Sequence, residues 1–469
     1  MPKLKHLTAA IALAAAPAIA APVPAPAAPP VPTATAETID GLFRQWLEVF
    51  NSGDKARIKA FYGRYADDPD PAFDLEQAQD TCGVTVDRVA AQSPTAMTVL
   101  LRQRCLPGLQ RLTLEMAANG GATLKTLKMV PLALPGDGPI EATRRIADRL
   151  SRRDDFAGAL IIRRGGRMLL ARGWGMADPA RHKEITLDTP MFLASAGKMF
   201  TAVAILQLVE AGKVDLDAPL GRYLTDYPNA EMAKVTIRQL LTHRGGTGDI
   251  GILARDEGAN RAKVRTIADI VRLNGERAPA FPPGTKDDYS NYGFIPLGAV
   301  IESVTHASYY DYVQDHVFKP ARMSASGFPD KEHLQGVAIG STTYFGAEPA
   351  RRSAFEILPW RGTSAGGGVA SANDMLRFFD ATKGGKLLSP AMMRLATSAG
   401  ATRWYGMGFV VNSGKNGSWG HGGTSYGMDV AAHVFPSVDT NFICLATRDM
   451  VCNRLIFAWA LRTFGPDYP

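Results

Sequence analysis

The sequence predicts an α/β protein: one antiparallel sheet assembled from the two ends of a large C-terminal region, flanked by helices, with a helical segment inserted between those ends. A small α+β domain precedes it. Three observations predict this. Strand-like runs at 157–163 and 167–173 return at 406–412, 428–435 and 441–446, while helical spacing dominates between them. Two helical patterns followed by four alternating segments fill 39–129. Between the two lies Leu134-Pro135-Gly136-Asp137-Gly138-Pro139, a linker by composition.

Taken in order, residues 1–21 read as an export signal. Lys3, Lys5 and His6 precede a short alanine-rich apolar stretch, and Ala18-Ile19-Ala20 supplies a small-residue cleavage site. That stretch is too short to span a bilayer, so a periplasmic or secreted protein is expected. Residues 22–36 are almost all Ala, Pro and Val, an extended spacer. Ile39, Leu42, Phe43, Trp46, Leu47 and Phe50 then recur at helical spacing, and Asn51-Ser52-Gly53-Asp54 ends that helix and caps a second over 55–65. The α+β pattern of 37–133 resembles the cystatin-like cone of ketosteroid isomerase and its relatives. No histidine falls between His6 and His182, so the domain lacks the usual general base of that group. It reads as an accessory unit that docks a partner or a second copy. Residues 140–469 form the main domain, beginning with a helix over 141–152 and a hairpin turning at Arg164-Gly165-Gly166.

Composition narrows the function. The chain has 469 residues, 46% hydrophobic and 21% charged, which is ordinary globular material. Its 52 basic and 45 acidic residues leave +7, spread without a dense basic run or a zinc-finger spacing, which argues against nucleic acid. The eight histidines fall in no recognisable ligand spacing, so neither a metal nor an organic cofactor is expected. Four cysteines fit an oxidising compartment. Cys82 and Cys105 flank two β-like runs joined at Ser93-Pro94, and a hairpin centred on that turn brings them opposite each other as a bridge. Cys444 and Cys452 either pair or serve as small core residues.

The chemistry-bearing residues come in three groups. Ser195-Ala196-Gly197-Lys198 opens a nearly all-apolar helix, hence a buried one. There the helix dipole favours developing negative charge, and Lys198, three residues on, lies on the same face as the serine. Burial would depress the lysine pKa and let a neutral amine take the hydroxyl proton. The same spelling occurs at Ser52-Gly53-Asp54-Lys55, where it caps a helix, and capping is the plain structural role open to Ser195 as well. Phe281-Pro282-Pro283-Gly284 precedes Tyr289-Ser290-Asn291. A tyrosine hydroxyl beside an ammonium ionises more easily and shuttles protons, and an asparagine amide grips a carbonyl. Gly420-His421-Gly422-Gly423-Thr424 stands before the 428–435 strand, where side-chain-free glycines allow close approach of a strand edge.

Together, and in this order, these groups resemble the serine β-lactamase and penicillin-binding-protein superfamily, in its class C β-lactamase, D-Ala-D-Ala carboxypeptidase and family VIII esterase branch. Leu240-Leu241-Thr242-His243 and Ala365-Gly366-Gly367-Gly368 extend the resemblance over about 140–464. It implies an antiparallel sheet flanked by helices beside an all-helical region. It implies Ser195 as acyl-forming nucleophile, Lys198 as its proton partner and Tyr289 as second relay. Asn291 becomes a substrate-positioning amide, and His421, Gly422 and Gly423 become the third motif. The N–H groups of Ser195 and Thr424 form an oxyanion hole. Many relatives carry lysine where His421 stands, which weakens the expectation of strong β-lactamase or carboxypeptidase activity, since histidine is mostly neutral at pH 7. The expectation is an exported, cofactor-free serine hydrolase acting on esters, D-amino-acid peptides or amides.

Two rivals remain. One is a sensor or penicillin-binding protein that is acylated without turnover. The other is an α/β-hydrolase using Gly362-Thr363-Ser364-Ala365-Gly366 or Gly423-Thr424-Ser425-Tyr426-Gly427, although neither pentapeptide has a buried strand before it and a helix after it.

Overall fold

The computed structural model describes residues 38–66, 72–117, 123–249, 264–344, 351–465 and 468. The expected export signal and spacer lie outside the described residues. Apolar residues at helical spacing fold as α1 (Ile39–Ser52), followed by α2 (Lys55–Tyr65). A third helix, α3 (Ala72–Thr81), was not expected. Its sequence alternates acids and glutamines without a clean apolar stripe, because Asp74, Gln77 and Asp80 are themselves buried. An antiparallel sheet of β1 (Val84–Gln92), β2 (Ala96–Gln103), β3 (Leu109–Met116) and β4 (Leu124–Pro131) completes this region in simple meander order.

The β1–β2 hairpin keeps the expected register from Val84 opposite Gln103 to Val86 opposite Leu101, then slips at two bulges toward the turn. At its open end Cys82 and Cys105 are bridged, with Cα atoms 5.7 Å apart. Cys444 and Cys452 are bridged as well, with Cα atoms 5.5 Å apart.

The main sheet comes from the two ends of the C-terminal region. Helix α4 (Gly138–Arg152) leads into β5 (Gly158–Arg164) and β6 (Arg167–Trp174). Far along the chain follow β7 (Val410–Asn412), β8 (Ser418–Ser425), β9 (Met428–Phe435) and β10 (Thr440–Ala446). The six strands run antiparallel in the order β7-β8-β9-β10-β5-β6. The expected strand over 406–412 shrinks to β7, because Gly406 is bonded into a tight loop against Phe409.

Both faces of this sheet are covered, so its central strands read as continuous apolar runs. Along β10, Ile443 and Leu445 face the core that contains the inserted helices, while Phe442, Cys444 and Ala446 face the opposite side. That second side is closed by α4 and by the final helix, here α8 (Val451–Phe464). Three longer helices of the inserted half are α5 (Lys198–Glu210), α6 (Ile295–Thr305) and α7 (Ala372–Lys383). Thirteen residues of α5 carry almost no polar face, and its Phe200 packs edge-on against Phe318 and Phe378 in the middle of the core.

The N-terminal region seats on α4 and α8. Arg454 forms a buried ion pair with Asp80 at 2.6 Å, and Arg462 donates to Gln103 at 2.9 Å. Arg149 donates to the carbonyls of Gln79 and Asp80. Among the described residues, no helix is long and apolar enough to cross a membrane.

Candidate active site

Ser195 sits in a 3₁₀ turn, Ala194–Gly197, that runs directly into α5. Its hydroxyl caps neither segment, so the capping role does not account for it. The preceding residue, Ala194, has φ 44°, a region an alanine adopts only when its surroundings force it. The glycine loop 365–368 does the forcing. Gly367 N donates to Ala194 O at 2.7 Å, and Leu193 N donates to Gly368 O at 3.1 Å. Contact is tight enough that a methyl on Gly366 would lie 2.6 Å from Ala194 O.

Across the turn runs β8. Its pairing with β7 ends at Gly420, so from His421 onward that edge faces the Ser195 turn instead of another strand. A methyl on Gly423 would stand 2.7 Å from Ser195 N and 2.6 Å from Leu193 O. Only glycine lets the backbone of this edge close on the serine, which places Thr424 beside it. The Thr424 hydroxyl is then fixed by donating to Asp429 on β9 at 2.6 Å.

Lys198 is fully buried. Its ammonium reaches Ser195 Oγ at 3.3 Å and Asn291 Oδ1 at 2.7 Å, and it also donates to Ala365 O. Burial pulls its pKa down to about 7, with Asp249 opposing that shift. The amine is therefore a competent base near neutral pH. Its nitrogen lies 4.9 Å from the centre of the Tyr289 ring and 5.6 Å from that of Phe294.

The Tyr289 hydroxyl is buried and meets no partner at hydrogen-bond geometry, although Ser195 is the neighbour that draws its pKa downward. Burial prevails and pushes that pKa above the ordinary phenol value. This corrects the expectation that the nearby ammonium would make Tyr289 ionise more easily: desolvation of a phenolate at this depth, with the Asp249 charge adding to it, outweighs the downward pull of Ser195. Tyr289 is thus a neutral hydroxyl aimed at the serine, and Lys198 is the group with a base-like pKa.

His421 also departs from expectation. It is 3% exposed, its Nε2 lies 2.9 Å from Tyr405 Oη, and burial pulls its pKa down to about 3. It is held neutral across the physiological range by burial and, contrary to its expected substrate-binding role, does not line the cavity beside Ser195. Gly422 and Gly423 do not line the cavity either; Gly423 acts through close backbone approach to the serine turn, whereas a methyl on Gly422 would meet only Val430 O at 3.3 Å. Of the expected substrate-binding residues, Asn291 and Thr424 do line it.

Two further residues shape the site. His243 accepts from Ser290 N at Nδ1, 3.2 Å away, and its ring centre lies 4.3 Å from that of Tyr289. The resemblance pointed to its tetrapeptide without assigning a role. Asp249 was missed altogether. It accepts from Asn291 N at 3.1 Å and from Asn291 Nδ2 at 3.4 Å, which turns the amide oxygen toward Lys198. Its only signal in sequence is a glycine-rich loop after Leu240-Leu241-Thr242-His243.

The alternative nucleophiles fare poorly. Ser364 is wholly buried in a tight Thr363–Gly366 turn and donates to Ile295 O at 3.3 Å. Ser425 ends β8 and enters a strand hairpin with β9. Neither stands between a strand and a helix, as a nucleophile elbow requires.

With this geometry in place, the comparisons with known proteins agree. A family model described as β-lactamase matches residues 143–450. The chain belongs to the β-lactamase family, which includes penicillin-binding proteins. It is 30% identical over 271 residues to the penicillin-binding protein PbpX of Bacillus subtilis, a match covering 56% of this chain and 64% of that one. It is 28% identical over 275 residues to penicillin-binding protein 4 of Amycolatopsis lactamdurans, covering 56% of this chain and 67% of the other. Among solved structures, a penicillin-binding protein of Bacillus halodurans superposes with a TM-score of 0.61 at 26% identity, over 66% of this chain and 98% of that one. D-amino acid amidase from Ochrobactrum anthropi SV3 shares the fold, with a TM-score of 0.58 at 20% identity, covering 69% of this chain and 99% of the other.

Proposed function

We propose that this protein is an exported serine hydrolase that works through an acyl-enzyme on D-amino-acid amides, peptides or esters. The observation that carries the reading is Lys198: a buried amine with pKa about 7, within 3.3 Å of a hydroxyl that caps nothing. Neutral Lys198 takes the Ser195 proton as Oγ adds to the substrate carbonyl. The N–H groups of Ser195 and Thr424 receive the oxyanion. Tyr289, a neutral hydroxyl, passes a proton to the departing amine or alcohol and is refilled from Lys198. Water then enters, loses its proton along the same path, and releases the acid.

Two disulfide bridges, Cys82–Cys105 and Cys444–Cys452, support export to an oxidising compartment. A neutral, buried His421 supports esters and amides over β-lactams, because no cation stands at the third motif. Labelling with a fluorophosphonate probe, peptide mapping, and turnover of acyl esters, D- and L-amino acid amides and a chromogenic cephalosporin test this. Labelling at Ser195 that is lost in Ser195→Ala, with steady turnover of esters or D-amides, is the expected result. Label at Ser425 would overturn the assignment, and a stoichiometric burst without turnover would favour a sensor.

A further inference from the structure

The cavity beside Ser195 has a volume of about 240 Å³ and an uneven composition. Phe192, Leu334, Ile357, Leu358, Trp360 and Tyr426 give it apolar walls, while Lys331 and Arg361 bring positive charge. No Asp or Glu is among the described residues that line it. Apolar walls with two cations and no acid suit a hydrophobic group that carries negative charge.

Arg361 is held like a recognition residue. Its Nε donates to Phe328 O, and its guanidinium carbon stands 3.7 Å from the centre of the Tyr310 ring. Tyr310 in turn donates to Gly362 O at 3.0 Å, and Asp330 and Arg361 form an antiparallel backbone bridge. Stacking and one anchored nitrogen fix the plane of the guanidinium while its terminal nitrogens make no ion pair with any described residue. Asp330, whose carboxylate feels the Arg361 charge from outside the cavity wall, lies 2.7 Å from His333 Nδ1. Lys331 lies against the Phe355 ring at 4.7 Å and donates to Glu356 O at 3.4 Å, and Arg265 stacks on the Trp360 ring at 3.7 Å, so Arg361 is the cation on which recognition rests.

Which part of a substrate would enter follows from the proton path, and rests on the acyl-enzyme reading above. The leaving group must take its proton from Tyr289 or Lys198, and neither residue lines the cavity. On that ground the leaving group belongs beside Tyr289, and the cavity, which Ser195 and Asn291 border, is left for the acyl part. We propose that this cavity is an acyl-group subsite for a hydrophobic or aromatic acyl chain bearing a carboxylate, and that Arg361 is the residue that reads the carboxylate. A planar, pre-oriented guanidinium can take both carboxylate oxygens at once.

The experiment compares p-nitrophenyl phenylacetate with its 4-carboxy analogue, two esters that differ only in a carboxylate at the far end of the acyl ring. The wild type is expected to prefer the carboxylated ester. Arg361→Gln should lower the ratio of the two kcat/KM values by roughly 10- to 100-fold, as losing a charge-assisted hydrogen bond does, mainly through KM. Arg361→Lys should recover part of it. As a second readout, 4-carboxyphenylacetate should inhibit the wild type more tightly than phenylacetate, which needs no variant to fold. Equal use of the two esters by the wild type, or an equal fall for both in Arg361→Gln, overturns the subsite. Failure of both esters to acylate Ser195, seen by intact mass, overturns the acyl-enzyme reading itself and the subsite with it.

Discussion

At 52–55 a serine and a lysine three residues apart straddle a break between helices. Ser52 ends α1 and donates to Val49 O at 2.6 Å, Gly53 turns with φ 60°, and Asp54 caps α2 by accepting from Arg57 N at 2.8 Å. Ser52 and Lys55 are both exposed. At 195–198 the same spelling opens α5, a helix buried along nearly its whole length, and the lysine is fully buried. The difference is what gives each pair its chemistry. An amine in water keeps its proton at neutral pH and cannot act as a base, whereas one stripped of water gives it up. Spacing places the two groups within reach; burial decides whether one can deprotonate the other.

That comparison can be broken by exchange of the lysines. Lys198→Met should cut turnover by about 10²–10⁴-fold, the usual worth of a positioned acid or base, while Lys55→Met leaves it unchanged. Steady-state kinetics on one neutral ester decides between them, and similar losses in both variants would sink the argument.

A pH profile sharpens the same contrast. Because folding lowers the Lys198 pKa to about 7, the active, unprotonated amine is the major form above that pH and the minor form below it. Turnover of a neutral ester should therefore rise about tenfold per pH unit below the inflection and flatten above it. His421, with its pKa near 3, should add no step between roughly pH 5 and 8. A step near 6.5 that vanishes in His421→Gln would show that its burial has been misjudged.

The smallest effect belongs to the exposed pair. Asp54→Ala removes the cap of α2 and should cost about 1 kcal/mol of stability with kcat/KM untouched. Thermal melting alongside ester turnover measures both.

Much of this site was legible because its parts are local. Ser195 and Lys198 announce themselves by an apolar run on one side of a fixed spacing, and Gly422 and Gly423 by glycines next to a strand. The two ends of the sheet showed in period-two runs such as β9 and β10. What stayed hidden depends on tertiary burial. Nothing in Gly420-His421-Gly422 says that His421 will lie 2.9 Å from Tyr405 Oη with its pKa held near 3. Asp249 reaches Asn291 across 42 positions of chain, and no periodicity records that. Helix α3 escaped because its buried face is built from Asp74, Gln77 and Asp80, whose partners lie on other elements. Trp46 Nε1 donates to Asp74 at 3.3 Å, and Arg454 pairs with Asp80.

The arginines of α8 have a consequence for anyone who would cut the protein at the Leu134–Pro139 linker. The seam they form with the N-terminal region is polar, with buried guanidinium, carboxylate and amide groups meeting across it beside Leu106. Severing it would uncover side chains that water welcomes, so the freed C-terminal piece is not condemned to aggregate. Something subtler is lost. Arg454 stands in the first turn of α8, next to the Cys452 N–H that donates to Asp429 at 2.6 Å, and Asp429 is what holds Thr424 at the serine. The N-terminal region thus has a hand on the frame that holds Thr424 beside Ser195, from the far side of the sheet.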